Sequence, residues 1–274
     1  MTADARSHRD AESANRDFWD EVAPVHLEAY KEVAMLREGR EVLDEIELQE
    51  VGDVAGKSML HLQCHIGTDT LAWERHGAAV TGLDFSGESI ACAERLRDEL
   101  GLGARFVQSN IYDARSVLEE AYDIVYTSKG VLTWLRDIVE WGRVVAHFLK
   151  PGGLFYLMEM HPFLNVLEME TAGDLTFKYR YFHQPEAIVW EDDADYANPD
   201  YIAKTASHEW DWTVSDIVNA LLDAGLELDF VHEYEKLFFK LFSTMTTDDG
   251  RWFTLPDYAG KLPLLLTMRA RKPA

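Results

Sequence analysis

The sequence is poor in the features that would place it quickly. Of 274 residues only two are cysteine, Cys64 and Cys92. Both fall in segments read as regular structure, which argues against a structural disulfide and for a reducing, cytoplasmic setting. No apolar run approaches the roughly 18 residues of a membrane span. The opening MTADARSHRDAESANRD has none of the apolar core of a secretion signal. Bases are scarce: 26 Lys and Arg stand against 49 Asp and Glu, for a formal charge of −23. Nucleic acid demands a basic footprint and an anionic membrane disfavours such a chain, so neither is expected as a partner. The charge reads most simply as solubility. Glycine is also missing where a dinucleotide-binding loop needs it, since the turn QCHIGTD keeps only Gly67 of the usual three. The 47% hydrophobic content is that of an ordinary globular chain. The length allows one large domain, or a domain with a cap.

What is present is an alternation of strand and helix patterns. Residues 1–14 read as disordered. Residues 15–50 read as helical, with Phe18, Trp19, Val22, His26 and Tyr30 at helical spacing. Short apolar strands are expected at Met59–Cys64, Ala79–Phe85, Ala104–Gln108, Tyr122–Thr127 and Leu154–Met160. Helices are expected at Thr68–His76, at Gly87–Leu100 behind a Ser86 N-cap, near Arg115–Glu120, and over Val131–Leu149. The pattern breaks at Pro162. Residues 162–212 are rich in aromatics and acids, and Thr176–Phe182 and Ala187–Glu191 alternate like exposed antiparallel strands. Thr213–Asp216 gives a capping box before a helix over Ile217–Ala224, and strands follow at Leu226–Tyr234 and Leu264–Arg271. The sum is a doubly wound, mostly parallel, seven-stranded Rossmann-like sheet whose last strand returns antiparallel. It divides into a helical lid (1–50), a cofactor-binding core (51–161), an inserted β-rich cap (162–212) and the C-terminal part of the core (213–274).

Ser58–Phe85 carries most of the functional signal. It runs strand, tight turn, helix, second strand, acid, an order that builds a nucleotide-type pocket at the carboxyl ends of parallel strands. Asp84 closes the second strand, placed to accept from two ribose hydroxyls. With LHLQCHIGTDTL, TGLDFS, FVQSNIYDA, YDIVYTSKGVLTWL and FLKPGG in that order, the chain resembles class I S-adenosylmethionine-dependent methyltransferases from about Leu60 to Met160. It is similar in particular to a small-molecule subgroup with HLQCH-type loops and an opening N-R-x-x-W-D, which Asn15–Asp20 fits.

The resemblance implies S-adenosylmethionine as cofactor, S-adenosylhomocysteine as product and methyl transfer to an O, N or C nucleophile of a small molecule in an enclosed aromatic pocket. It implies that Asp84 binds the ribose, that Phe85 and Ser86 line the adenosine, and that Asn110 and Ile111 lie at the adenine. Gln63, His65, Gly67 and Thr68 would meet the methionine part. Ser128 would face its far end with Lys129 and Val131 nearby, and Trp19 would fold over the cofactor. Three departures stand out: His61 replaces the family's usual acid, and Gln63 and His65 replace two glycines.

Asp69 reads equally as a helix N-terminal acid and as a partner of the methionine ammonium. His161, His26 and, below them, Glu159 are the acid–base candidates. Against each stands a plainer reading: a loop-entry histidine bonded to backbone, a helix-face residue, a strand acid bonded to a neighbour. No metal site is expected at His61–His65, where strand alternation would put Cys64 opposite the other polar side chains. The acidic run Glu191–Asp195 reads as a solvated turn, with attraction of a cationic amine substrate as the sharper alternative. A monomer or homodimer is expected. The rival functions are a nicotinamide-dependent oxidoreductase on a similar sheet, a non-catalytic binder of the same cofactor, and a methyltransferase of macromolecules.

Overall fold

The computed structural model describes residues 3–168, 174–191 and 194–274, with side chains described from Asp10 onward. Three helices come first: α1 (Ala3–Ala29), α2 (Lys31–Arg37) and α3 (Glu45–Val51). The core then alternates β1 (Ser58–Leu62), α4 (Thr68–Arg75), β2 (Ala79–Asp84), α5 (Gly87–Leu100), β3 (Arg105–Gln108), β4 (Tyr122–Ser128), α6 (Ile138–Phe148) and β5 (Leu149–Met160). A small antiparallel pair follows, β6 (Ile188–Trp190) with β7 (Ser207–Glu209), and then α7 (Val214–Asp223), β8 (Glu227–Tyr234) and β9 (Leu265–Arg271).

The sheet has seven strands in the order β3-β2-β1-β4-β5-β9-β8. The first five are parallel, and β9 runs antiparallel to both its neighbours. The returning strand was expected at a sheet edge; it lies inside, and β8 forms the edge. Because β1 is central and covered on both faces, Met59 through Leu62 are all buried, which is why the segment is apolar on both faces apart from His61. Trp141 of α6 packs edge-on against Phe155 of β5 on one face, and α2 to α5 cover the other.

Caps set the element boundaries. The Ser86 hydroxyl accepts from Ser89 N at 2.9 Å and opens α5, which Gly101 ends in the left-handed conformation. The long helix expected over Val131–Leu149 is broken instead. A 3₁₀ turn occupies Leu132–Trp134, and α6 starts afresh at the Asp137 cap, whose carboxylate takes Glu140 N.

Two further expectations are corrected. The polar start of the chain is helical from Ala3, because Glu12 pairs with Arg136 and Ala11 is buried. Thr176–Phe182 is not a strand: Phe177 makes one bridge to Leu167, and Phe177 and Phe182 lie exposed. Alternation alone supplies no partner strand there.

Candidate cofactor site at the carboxyl edge of the sheet

The loop after β1 is the centre of the site. Among the described residues only three non-glycines have positive φ, namely Gln63 (58°), His65 (49°) and Lys129 (59°), and all stand where β1 and β4 end. Gln63 and His65 thus keep the left-handed backbone that glycine would adopt freely, at a cost of about 1–2 kcal/mol each. The strand has already ended at Leu62, so the predicted alternation of His61, Gln63 and His65 on one face does not occur. Gly67, at φ 76°, admits no substitute, since a Cβ there would lie 2.7 Å from Phe106 Cζ. It opens α4, with Thr68 the first residue of the helix.

Asp84 faces this loop from the end of β2. Its Oδ2 accepts from His65 N at 2.8 Å and its Oδ1 from Ser86 N at 2.9 Å, and the Phe85 N–H also bonds the carboxylate. Burial pushes its carboxyl up to about 6, against the pull of those N–H groups. A cleft beside it brings together Gln63, Asp84, Phe85, Asn110 and Ile111, five of the residues that the resemblance implied. The Gln63 amide donates to Val131 O at 2.9 Å, and its Oε1 is buried without a partner. Asn110 Oδ1 caps the next turn by accepting from Tyr112 N. Ser86 does not join them; its hydroxyl donates to Asp20 at 2.6 Å.

Sequence reasoning missed Glu12, Tyr112 and Trp134 as cleft walls. Trp134 sat in what looked like mid-helix, and Glu12 in a segment that looked disordered. A roomier hollow of about 350 Å³ lies at the opposite strand edge, near Asp123, Lys150 and Arg271, and none of the expected site residues lines it.

On the other flank, Asp69 Oδ2 accepts from Ser128 Oγ at 3.0 Å and lies 3.7 Å from Lys129 Nζ. Burial would raise Asp69, but Lys129 and His61 hold it below its ordinary value. Lys129 is itself clasped by Glu47 at 2.8 Å and Asp44 at 3.1 Å. His61 is buried, bonded to Thr70 Oγ1 at 2.8 Å, and burial lowers it to about 4, so it stands as a neutral ring. Cys64 is buried and unpaired.

Helix α1 covers the cleft. Trp19 packs against His65 (4.7 Å between ring centroids) and Trp134 (5.0 Å), and Phe18 stacks on Trp134. Asp20 accepts from Glu88 N, at the start of α5, as well as from Ser86. Glu21 gathers Tyr201, Lys204 N and Thr205, and Asn15 makes two hydrogen bonds with the backbone of His208, each 2.7 Å.

A buried polar chain ties these parts together. His26 Nε2 meets Asp195 Oδ2 at 2.7 Å, His26 Nδ1 meets His65 Nε2 at 2.8 Å, and His65 Nδ1 meets Ser89 Oγ at 2.9 Å. One direction of donation satisfies it with both rings neutral: Ser89 O–H to His65, His65 N–H to His26, His26 N–H to Asp195. Burial and the adjacent His26 hold His65 well below its ordinary value. Burial would raise Asp195, but the hydrogen bond from His26 holds it low. Tyr30 and Tyr196 close the outer end with a hydroxyl–hydroxyl contact. The acidic run therefore contributes an internal carboxylate at Asp195; Asp192 and Asp193 lie outside the described residues.

The other acid–base candidates are also engaged. His161 Nδ1 accepts from Phe163 N at 3.1 Å, and its Nε2 bonds Glu233 at 2.8 Å. Burial lowers His161 in spite of Glu233. Glu159 accepts four backbone N–H groups, and burial still pushes it up to about 7.

The residues fit the implied cofactor. Gln63 Oε1 offers an unpaired buried acceptor to an ammonium, Asp84 offers a carboxylate to hydroxyls, and buried Ile111 supplies an apolar surface beside them.

Comparison with known proteins agrees. Residues 60–155 match a family model described as a methyltransferase domain. A ubiquinone biosynthesis O-methyltransferase of Serratia proteamaculans (strain 568) is 29% identical over 126 residues, 46% of this chain and 49% of that one. The match thus spans about half the length of such curated relatives. A solved S-adenosylmethionine-dependent methyltransferase from Mesorhizobium loti aligns with a TM-score of 0.58 at 21% identity, covering 83% of this chain and 96% of its own. The glycopeptide N-methyltransferase MtfA, solved with S-adenosylmethionine, aligns with a TM-score of 0.52 at 17% identity, covering 88% and 94%. At those identities the structural likeness is one of fold. Residues 60–155 thus match a methyltransferase domain, and the chain shares the fold of these solved methyltransferases.

Proposed function

We propose that the chain transfers a methyl group from S-adenosylmethionine to a small molecule, with α1 and the 162–212 segment closing over both. The reading rests chiefly on the edge formed by β1, β2 and β4. There Asp84, the unpaired Gln63 acceptor and the strained turns at Gln63, His65 and Lys129 meet at one cleft. Backbone strain of this kind persists where the surrounding structure enforces it, and it clusters at ligand sites.

When bound, the cofactor supplies an electrophilic methyl on sulfur. The protein's share is to orient and to exclude water. Asp84 would hold the ribose hydroxyls, Gln63 the methionine ammonium, Phe85 and Ile111 the adenosine. The space left under α1 is about 30 Å³, room for one water, so entry of a cofactor requires α1 to lift. Trp19, Trp134 and Tyr196 supply the aromatic walls. The names of the curated relatives favour an oxygen nucleophile. An acid chain with no nucleic-acid partner, as a monomer or homodimer in the cytoplasm, fits this reading. No helix among the described residues is long and apolar enough to cross a membrane.

A second reading is a protein that binds the cofactor without transferring its methyl. It is favoured by one observation: His26 and His161 both have their ring nitrogens engaged, leaving no histidine of the pair free as a base. Incubation with methyl-labelled S-adenosylmethionine and a phenolic and amine metabolite pool separates the two. Label transferred to small molecules supports the enzyme, and tight binding with no transfer supports the binder.

A further inference from the structure

We infer that Glu159 is a positioning residue of the cofactor cleft, acting through the turn that leaves β4. The inference rests on the cofactor reading above. Glu159 is the penultimate residue of β5 and is buried. Its Oε1 accepts from Gly130 N at 2.6 Å and Met160 N at 3.0 Å; its Oε2 accepts from Val131 N at 3.0 Å and Leu132 N at 3.3 Å. Lys129 and Gly130 both have positive φ, at 59° and 83°. The turn they make brings the N–H groups of Gly130, Val131 and Leu132 to one carboxylate, an anion nest filled from within the protein.

The carbonyls of the same turn serve the cleft. Val131 O accepts from the Gln63 amide at 2.9 Å, and Gly130 O accepts from the Trp134 indole at 3.0 Å. Gln63 and Trp134 are two walls of the cleft beside Asp84. One carboxylate on β5 therefore fixes a polar wall and an aromatic wall, although the carboxylate itself lines neither. Its lone pairs are committed to four backbone N–H groups.

The test is calorimetric titration of S-adenosylhomocysteine into the full wild-type chain, Glu159→Gln, Gln63→Ala and the double variant. A glutamine has one acceptor oxygen and turns an NH₂ toward the remaining N–H donors, so the turn must shift. About tenfold weaker binding is expected for each single variant. The double variant is expected within about twofold of Glu159→Gln alone, because both act through one linkage. Additive losses, or unchanged binding in Glu159→Gln, would overturn the inference. Glu159→Asp keeps the charge but falls a methylene short. Should Glu159→Gln not fold, Glu159→Asp is expected to bind about threefold more weakly, and full affinity there would overturn the inference. A wild-type chain that does not bind S-adenosylhomocysteine at all would sink the cofactor reading and this inference with it. Wild-type binding with unperturbed variants would sink this inference alone.

Discussion

His65, in the loop after β1, and His26, on α1, share a hydrogen bond of 2.8 Å, and through it that loop is tied to α1. The same two rings reach Ser89 on α5 and Asp195 in the 162–212 segment. Four parts of the chain thus converge on a single buried line. The left-handed strain at His65 places its imidazole in that line.

His65→Gly tests the latch cleanly. Glycine accepts the 49° φ without strain, so the loop is expected to keep its path while the link to α1 is lost. Hydrogen exchange along α1 is expected to speed up by about tenfold or more, and the dissociation rate of bound S-adenosylhomocysteine to rise with it. Unchanged exchange in α1 would show that Asp20, Glu21 and Asn15 hold the lid unaided.

The latch should also respond to pH. His65 is held well below its ordinary value by burial and by His26. The closed form therefore binds fewer protons than a form with His65 in water. Closure is fully favoured above the free-histidine value of about 6.5 and weakens as pH falls below it. The groups facing the pair are Asp195 and Tyr196 from the 162–212 segment, Trp19 from α1, Tyr30 at the junction of α1 and α2, and Ser89 from α5. Exchange in α1 followed from pH 8 to about 5 is expected to accelerate in the acid half for the wild type and to stay flat for His65→Gly.

Asp84→Asn should trade binding for stability. The Asp84 carboxyl is raised to about 6 by burial, so the folded chain keeps a proton that the unfolded chain releases from about pH 4 upward. Its ionised form therefore costs stability. That cost grows from about pH 4 to 6 and is constant above, on the order of 3 kcal/mol. The melting-temperature difference between Asp84→Asn and wild type is expected to turn in the variant's favour across that window and to level off above it. A difference independent of pH would contradict the burial argument.

Gly67→Ala should destabilise sharply. The substitution places a Cβ 2.7 Å from Phe106 Cζ and 3.0 Å from Ala93 Cβ, on a backbone at φ 76°. A loss of about 2–4 kcal/mol is expected from strain and overpacking together, read from the denaturant midpoint. A loss below about 0.5 kcal/mol would mean that the loop yields freely.

The sequence made some of this plain and hid the rest for physical reasons. Strands buried on both faces and helices with caps announce themselves locally, so Gly87–Leu100 was legible to the residue and the mostly parallel seven-stranded sheet followed from the alternation. Asp84 was singled out by its place at the end of a strand, while Gln63, Asn110 and Ile111 came from the resemblance, and the four line one cleft. The latch was not, because Asp195 and His26 lie 169 residues apart and no periodicity relates them. The lid's reach was hidden as well: Glu12 and Asn15 look like solvated polar residues until their partners Asn110, Arg136 and His208 are in place. The break at Leu132–Trp134 was invisible because its cause, the carboxylate of Glu159, comes from another strand.

The most direct measurement is calorimetric titration of S-adenosylhomocysteine into the wild-type chain and into Asp84→Ala. Saturable binding to the wild type and a loss of about a hundredfold or more in the variant are expected, since the variant removes the charged acceptor beside the cleft. Equal affinity in the two proteins, or stabilisation of the wild type by NAD and not by S-adenosylhomocysteine, would contradict the assignment of this edge as a sulfonium-cofactor site.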